Sequence, residues 1–235
     1  MKNLPDPLSS AAVAASAPAR PWDARLARWL VTPLKHTRVT PNHLTTLRLL
    51  IGTLCAIAFG MGGYHYANLG AVLLVLSNFV DHTDGELARI SGKTSRFGHF
   101  YDLACDALVT VALFVGIGVG IGATHGDFVV AGVTVPAQLL GWMAGVAVAL
   151  IFYLRMQIEE HEGKAGTKQA SIAGFETEDV LYLMPLVTLF NGTQGFLVAA
   201  SIGAPLFAIW VIWDYVRMLR RAAAGSDSNR YEGAR

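Results

Sequence analysis

The sequence predicts an all-α polytopic membrane protein with six transmembrane helices and an N-terminal amphipathic helix at the membrane surface. Three observations lead to this prediction: 53% of the residues are hydrophobic, only 15% are charged, and long apolar stretches recur along the chain. Soluble domains average about 25% charged residues, so the deficit favours a membrane protein. The formal net charge of +1 gives no electrostatic reason to expect nucleic acid as a partner.

The N-terminal segment is predicted to lie outside the bilayer. Residues 1–20 are rich in Ala and Ser but lack the leucine-rich centre of a signal peptide, so they are interpreted as a disordered cytoplasmic tail. In residues 22–38, large apolar side chains share one helical face and basic residues are interspersed; the apolar ones are Trp22, Leu26, Trp29 and Leu30. This pattern is typical of an interfacial amphipathic helix, with a basic linker as the alternative.

Six stretches are considered as membrane spans, because a helix needs roughly 20 apolar residues to cross the hydrocarbon core. They are residues 43–62, 67–90, 99–122, 136–156, 195–217 and a shorter stretch at 177–190. The membrane domain is therefore placed at residues 21–221, followed by a cytoplasmic C-terminal tail at residues 222–235.

The distribution of Lys and Arg predicts the orientation. All 18 lie in the N-terminal segment, the loops at 90–98 and 155–176, the C-terminal tail or nearby helix ends. The other loops contain none; they are residues 62–66, 122–135 and 191–194. Because cytoplasmic loops are enriched in Lys and Arg, both termini and the two basic loops are predicted to be cytoplasmic, in the cell inner membrane.

Both cysteines, Cys55 and Cys105, fall in apolar stretches. They form no metal-binding spacing and no disulfide framework, so both are predicted to be buried thiols.

Four aspartates lie at the predicted cytoplasmic ends of two consecutive spans. Asp81 and Asp84 are three residues apart and therefore share one helical face, and Asp102 and Asp106, four residues apart, share a face of the next helix. Because the connection between the two helices is short, we expect them to be antiparallel neighbours. The four carboxylates then converge on one point at the cytoplasmic side.

Such a convergence is unfavourable without a cation, because a carboxylate within the bilayer costs roughly 2.5–3.5 kcal/mol and neighbouring carboxylates repel one another. Mg²⁺ or Mn²⁺ resolves the conflict, since hard cations prefer oxygen ligands. Gly85 leaves room for a ligand beside the acids, and Arg89 offers a fork suited to phosphate oxygens. The alternative is that the acids only pair with cations at the helix end, namely Arg89, Lys93 and Arg96.

The spacing of these residues resembles the signature of the CDP-alcohol phosphotransferases, D-x2-D-G-x2-A-R-x8-G-x3-D-x3-D. The chain matches every fixed position of it: Asp81, Asp84, Gly85, Ala88, Arg89, Gly98, Asp102 and Asp106. The upstream segment from Thr40 to Arg48 is also similar to the start of the first helix in that family. The resemblance covers roughly residues 22–220.

The resemblance implies a role for each matching residue. The metal ligands would be Asp81, Asp84, Asp102 and Asp106, holding two Mg²⁺ or Mn²⁺ ions, and Asp106 would also be the catalytic base. Contacts to the CDP-linked donor are implied for Asn42, Thr45, Gly85, Ala88, Arg89, Ser95 and Gly98. Members of the family are commonly homodimers, so a homodimer is expected.

The reaction implied by the resemblance is transfer of a phosphatidyl group from CDP-diacylglycerol to a small polar alcohol, with release of CMP, in phospholipid biosynthesis. Glycerol 3-phosphate and an inositol compound are the leading acceptors. Arg155 and Arg96 are candidate contacts for a phosphorylated acceptor, although Arg155 also suits a cation that only anchors the helix at the membrane surface. Two alternatives stay open: a CDP-choline or CDP-ethanolamine type of enzyme with diacylglycerol as acceptor, and a divalent-cation transporter.

Overall fold

The computed structural model describes residues 22–130, 132–162 and 181–232. Its helices are α1 (Trp22–Val31), a 3₁₀ turn (Thr32–His36), α2 (Pro41–Met61), α3 (Tyr64–Ser91), α4 (Arg96–His125), α5 (Ala137–Glu162), α6 (Met184–Leu189) and α7 (Thr193–Glu232). Two strands, β1 (Phe128–Val130) and β2 (Val133–Val135), connect α4 to α5. The predicted N-terminal tail and residues 163–176 of the second basic loop lie outside the described residues.

By length and composition, 4 of the described helices are able to cross a membrane: α2, α4, α5 as far as Ile158, and α7 as far as Arg221. Helix α3 is 28 residues long but carries the motif acids, and it is not among these apolar helices. Helix α6 has only 6 residues, and the first residues of the predicted span at 177–190 lie outside the described part of the chain. The count of six spans therefore stays a prediction.

A helix occupies Trp22–Val31, and a 3₁₀ turn follows it, so the regular helix is shorter than the predicted segment at 22–38. It packs against α3 with Ala27 and Val31, which are buried. Trp29 is 72% exposed on the side that does not face the protein. Its location at the membrane surface stays a prediction.

Helix α2 packs along both α3 and α4, whereas α3 and α4 make little direct contact with each other. The expectation that α3 and α4 are antiparallel neighbours was therefore wrong. A short connection limits the distance between two helix ends but leaves their bodies free to diverge, and α2 fills the space between them. The motif acids of α3 and α4 consequently meet beside the first turns of α2.

Close backbone contact holds α2 against α4. A Cβ atom added at Gly116 would collide with the Ala56 carbonyl oxygen, and one added at Gly120 would collide with that of Phe59. On the other side of α4, a Cβ at Gly118 would collide with the Ala137 carbonyl of α5. Small residues allow such packing in membrane proteins, where burial away from water does not drive helices together. Helix α4 is therefore the enclosed centre of the bundle.

The thiol predictions are confirmed, since Cys55 and Cys105 are both buried and free. Cys55 belongs to the main core, where it packs with Phe59, Leu74 and Leu113.

The described residues are mostly helical, as predicted, with one exception: residues 128–135 of the predicted outer loop form an antiparallel two-stranded hairpin. The two strands are rich in β-branched residues, which favour extended backbone. Gly132 has φ 81°, a conformation that glycine adopts without a steric penalty, and it allows the tight turn.

Candidate active site

One end of the bundle contains a cavity of about 180 Å³, formed where α2 begins, α3 ends and α4 begins. Its lining consists of Pro41, Asn42, Thr45, Asp84, Gly85, Ala88, Lys93, Thr94, Ser95, Gly98, His99 and Asp102. Gly92 ends α3 with φ 67°, which stops the helix sharply and returns the chain toward the start of α4. The cavity therefore lies between two helix N-termini and the C-terminal turns of the motif helix.

Three of the four predicted metal ligands meet beside this cavity. Carboxylate oxygens of Asp81, Asp102 and Asp106 all lie within 4.8 Å of one another. Within the described residues, Asp102 Oδ1 and Asp106 Oδ1 are buried and accept no hydrogen bond of acceptable geometry. Several buried carboxylate oxygens close together are suited to a hard cation, so these residues fit Mg²⁺ or Mn²⁺.

Arg48 of α2 reaches into the same group of carboxylates. Its Nη1 atom lies 2.8 Å from Asp81 Oδ1 and 3.9 Å from Asp102 Oδ1, and it also contacts Asp106 Oδ1. Sequence reasoning assigned Arg48 no role. The signal that identifies it was nevertheless present, because a charged residue inside a largely apolar span marks a candidate functional site.

Asp84 behaves differently from the other three aspartates. It is 4% exposed, and its Oδ2 accepts a hydrogen bond of 2.7 Å from Thr45 Oγ1, which is itself buried. Asp84 lines the cavity but is not part of the three-carboxylate group. Thr45 is predicted to contact the CDP-linked donor, and its hydrogen bond also fixes the orientation of the Asp84 carboxylate.

We expect Thr45→Val to destabilise the protein by about 1–3 kcal/mol, because it leaves a buried carboxylate without its hydrogen-bond donor. Thr45→Ser keeps the hydroxyl and should retain most of the stability. Thr53→Val is a matched control on the same helix, since Thr53 is exposed and its hydroxyl bonds only the Leu49 carbonyl. Unfolding of the three variants in detergent measures the difference; equal loss in Thr45→Val and Thr53→Val would contradict the expectation.

The cavity gathers six of the seven residues predicted to contact the donor: Asn42, Thr45, Gly85, Ala88, Ser95 and Gly98. A Cβ added at Gly85 would meet nothing within 4 Å, so this position opens onto free space. A Cβ at Gly98 would lie 2.9 Å from Asn42 Oδ1, so the first turns of α2 and α4 approach closely there. Ser95 caps α4 by accepting the Gly98 N–H at 2.9 Å.

Arg89 is predicted to contact the CDP-linked donor, but it does not line the cavity. Its Nη1 donates to Oε1 of Glu86 at 2.6 Å, and its side chain is 67% exposed. Glu86 is buried one turn earlier on the same helix, so the ion pair holds the guanidinium beside α3. Contact of Arg89 with a donor stays a prediction.

Lys93 connects the cavity to the segment that precedes α2. Its Nζ donates to the Thr37 carbonyl at 2.7 Å and to the Val39 carbonyl at 3.1 Å. These bonds fix the connection between α3 and α4 against the start of α2, and thereby define one wall of the cavity.

The two predicted acceptor contacts are placed apart from the cavity lining. Arg96 is the exposed first residue of α4. Arg155 is half-buried on α5, two turns before the helix ends at Glu162, and its guanidinium carbon lies 5.3 Å from the centre of the Phe207 ring on α7. A cation held over an aromatic ring has a defined position, so Arg155 is fixed against α7.

Comparison with known proteins defines the class. The family model for CDP-alcohol phosphatidyltransferase matches residues 38–216, which is most of the chain. The chain therefore belongs to the CDP-alcohol phosphatidyltransferase family, and the resemblance in its motif is confirmed. It is a transferase with membrane helices.

Two of the relatives are archaetidylinositol phosphate synthases. That of Pyrococcus horikoshii is 28% identical over 175 residues, covering 74% of this chain and 79% of the relative. That of Methanothermobacter thermautotrophicus is 34% identical over 132 residues, covering 52% of this chain and 66% of the relative.

A solved structure has the same fold. The crystal structure of phosphatidylinositol phosphate synthase from Mycobacterium tuberculosis, with CDP-DAG bound, matches with a TM-score of 0.51 and 23% identity. The match covers 85% of this chain and 92% of that chain. At this identity the likeness establishes the fold alone.

Proposed function

We propose that this protein transfers a phosphatidyl group from CDP-diacylglycerol to a small polar alcohol and releases CMP. The observation that carries the proposal is the cavity at the helix ends, beside which three carboxylates meet and six predicted donor contacts are gathered. Family membership supports the reaction type. The proposal also includes the identity of the molecule bound in the cavity, of the metal and of the acceptor.

The cavity suits the pyrophosphate of a CDP-linked donor. The first turns of α2 and α4 both line it, and the unpaired N–H groups at a helix N-terminus attract anions. The open space at Gly85 admits the phosphates beside the motif helix. The solved structure of a family member with CDP-DAG bound supports this class of donor.

The residues divide the chemistry between them. Asp81, Asp102 and Asp106 would hold one of the two divalent cations that family resemblance implies, and its charge would neutralise the donor pyrophosphate. The acceptor hydroxyl oxygen forms a bond to the lipid-bearing phosphorus, and the bond from that phosphorus to the CMP oxygen breaks. Asp106 takes the hydroxyl proton.

The acceptor is proposed to be a phosphorylated alcohol, with an inositol phosphate tested first and glycerol 3-phosphate second. The name of the two archaeal relatives, archaetidylinositol phosphate synthase, supports a lipid product that carries inositol phosphate. An acceptor phosphate beside a donor pyrophosphate needs a further cation. Arg155 is proposed for this role because its side chain is held in place by Phe207.

We expect Arg155→Ala to raise the acceptor KM tenfold or more, because a charge-assisted hydrogen bond contributes roughly 1.5–3 kcal/mol. The KM for the CDP-linked donor should change little. Initial rates of CMP release, with each substrate varied in turn, give both constants.

Arg217→Ala is the matched control for this prediction. Arg217 lies over the Trp213 ring at 5.3 Å, the same distance as in the Arg155–Phe207 pair. Loss of this second cation–π contact should leave both KM values unchanged. If Arg155→Ala also leaves the acceptor KM unchanged, Arg155 serves only to anchor α5 against α7.

The location and assembly of the protein complete the proposal. The protein is placed in the cell inner membrane with both termini and the cavity on the cytoplasmic side, on the basis of the Lys and Arg distribution. There a water-soluble alcohol meets a lipid-tailed donor. The active form is proposed to be a homodimer, as is common in the family.

The proposal is tested by incubating the purified protein with labelled CDP-diacylglycerol and each alcohol of a panel, followed by identification of the lipid products. The panel holds inositol phosphate, free inositol and glycerol 3-phosphate, and a parallel reaction combines CDP-choline with diacylglycerol. A new phospholipid from inositol phosphate or glycerol 3-phosphate is expected. Product from free inositol alone would contradict the phosphorylated acceptor, and product only from CDP-choline with diacylglycerol would contradict the donor.

A further inference from the structure

Arg48 is an unusual arginine in this chain. Among the arginines whose side chains the structure describes, it alone is buried, at 7% exposure. It lies on the second turn of α2, the helix that packs between α3 and α4. An isolated charge at such a place is unfavourable, so its burial requires a partner of opposite charge.

The partners of Arg48 are the carboxylates that suit a metal ion. Its Nη1 lies 2.8 Å from Asp81 Oδ1 and 3.9 Å from Asp102 Oδ1, and it contacts Asp106 Oδ1. The carboxylate oxygens of the same three residues lie within 4.8 Å of one another. Arg48 thus supplies positive charge to the same three carboxylates that would bind a divalent cation.

We propose that Arg48 is a resident cation of the aspartate group: it holds Asp81, Asp102 and Asp106 together before metal binds, and it competes with the metal for them. This inference rests on the metal site of the proposed function. Its basis is independent of the reaction, because it follows from the position of one buried guanidinium among three acids.

The contact between Arg48 and the acids is an ion-pair contact. Within the described part of the chain, Arg48 Nε and Nη1 make no hydrogen bond of acceptable angle, so charge attraction, rather than aligned hydrogen bonds, holds the group. A metal ligand oxygen lies at about 2.0–2.1 Å from Mg²⁺, which leaves little room for Nη1 at the same oxygens. Under this proposal, metal binding moves the guanidinium away from the shared oxygens.

The first test is the affinity of the purified protein for Mn²⁺ in detergent, without donor or acceptor. Arg48→Met should bind Mn²⁺ at least about tenfold more tightly than the wild type, because a competing positive charge within a few ångströms has been removed. Arg48→Lys keeps the charge and should remain near the wild type. Arg217→Met, which loses an exposed arginine on α7, should match the wild type.

The second test is thermal stability in EDTA, where no metal contributes. Arg48→Met should unfold at a lower temperature than the wild type, and adding Asp106→Asn to it should restore part of the loss by removing one unbalanced carboxylate. Adding Asp127→Asn instead should restore nothing, because Asp127 follows the far end of α4, just before β1, and accepts the Ala137 N–H. Recovery of Arg48→Met only when it is purified with Mn²⁺ would support the proposal.

Three results would overturn the inference. Equal Mn²⁺ affinity in Arg48→Met and the wild type would show that Arg48 does not compete, while leaving the metal site of the proposed function intact. Failure of Asp106→Asn to restore any stability, or any folded protein, to Arg48→Met would show that charge balance is not the role of Arg48. Absence of Mn²⁺ binding in every variant would overturn the metal site and the competition together.

Discussion

Asp102→Asn is expected to reduce turnover by about a thousandfold or more, since a metal held at the site supplies several kcal/mol of transition-state stabilisation. Asp102 lies in the three-carboxylate group and also lines the cavity, so the change removes a proposed metal ligand at the cavity wall. Asp81→Asn should have a similar effect. Rates of CMP release at increasing Mg²⁺ or Mn²⁺ measure it, and the metal concentration for half-activation should rise in both variants.

Asp127→Asn is a control for the effect of replacing an aspartate by asparagine away from the cavity. Asp127 Oδ1 accepts the Ala137 N–H at 3.2 Å next to the hairpin, and an asparagine oxygen accepts the same bond. Its turnover and metal dependence should equal those of the wild type. Wild-type turnover in Asp102→Asn, with unchanged metal dependence, would contradict the assignment of Asp102 as a ligand.

Asp106→Asn is expected to lower turnover by about 10²–10⁴-fold, because it removes the group proposed to accept the acceptor proton. Much of the donor affinity should remain, since the residues that line the cavity are unchanged and Asp106 is not one of them. Binding of the CDP-linked donor to Asp106→Asn and to Asp102→Asn, measured by calorimetry, separates the two roles. Donor affinity should fall more in Asp102→Asn.

Substantial CMP production by Asp106→Asn would show that another group accepts the proton. Equal loss of donor affinity in the Asp102 and Asp106 variants would instead assign Asp106 mainly to metal binding. Because Asp106 also contacts Arg48, the folded state of the variant should be verified before its kinetics are compared.

The acids could be predicted from the sequence because helical spacing alone places them. Residues three or four apart share a helical face, so Asp81 and Asp84, and Asp102 and Asp106, were recognisable as pairs without any knowledge of packing. The side-chain direction of each acid was not recognisable. Asp84 bonds Thr45 of α2 and stands outside the three-carboxylate group, and this depends on a contact between two residues that are 39 positions apart along the chain.

Arg48 was overlooked for a related reason. Its role depends on α2 lying between α3 and α4, and the short connection at residues 90–98 suggested that α3 and α4 pack directly on each other. A short loop limits only the distance between the two helix ends that it joins. The choice of neighbours along the helix bodies is decided by glycines such as Gly116 and Gly120, which permit backbone contact with α2.

The spans were predicted well where a helix is uniformly apolar and less well elsewhere. Helices α2, α4, α5 and α7 have long apolar windows, so hydropathy identifies them. Helix α3 combines an apolar first half with the motif acids, and hydropathy averages over the two parts. The hairpin at residues 128–135 depends on local turn geometry at Gly132, which span prediction does not consider.

The most direct test of the proposed function is to measure CMP and lipid product together from CDP-diacylglycerol and inositol phosphate, using purified protein. We predict equimolar CMP and new phospholipid, no CMP without the alcohol, and loss of both products with EDTA or with Asp106→Asn. Accumulation of Mn²⁺ in vesicles containing the protein, with no CMP formed from any acceptor of the panel, would contradict the proposal and indicate a transporter.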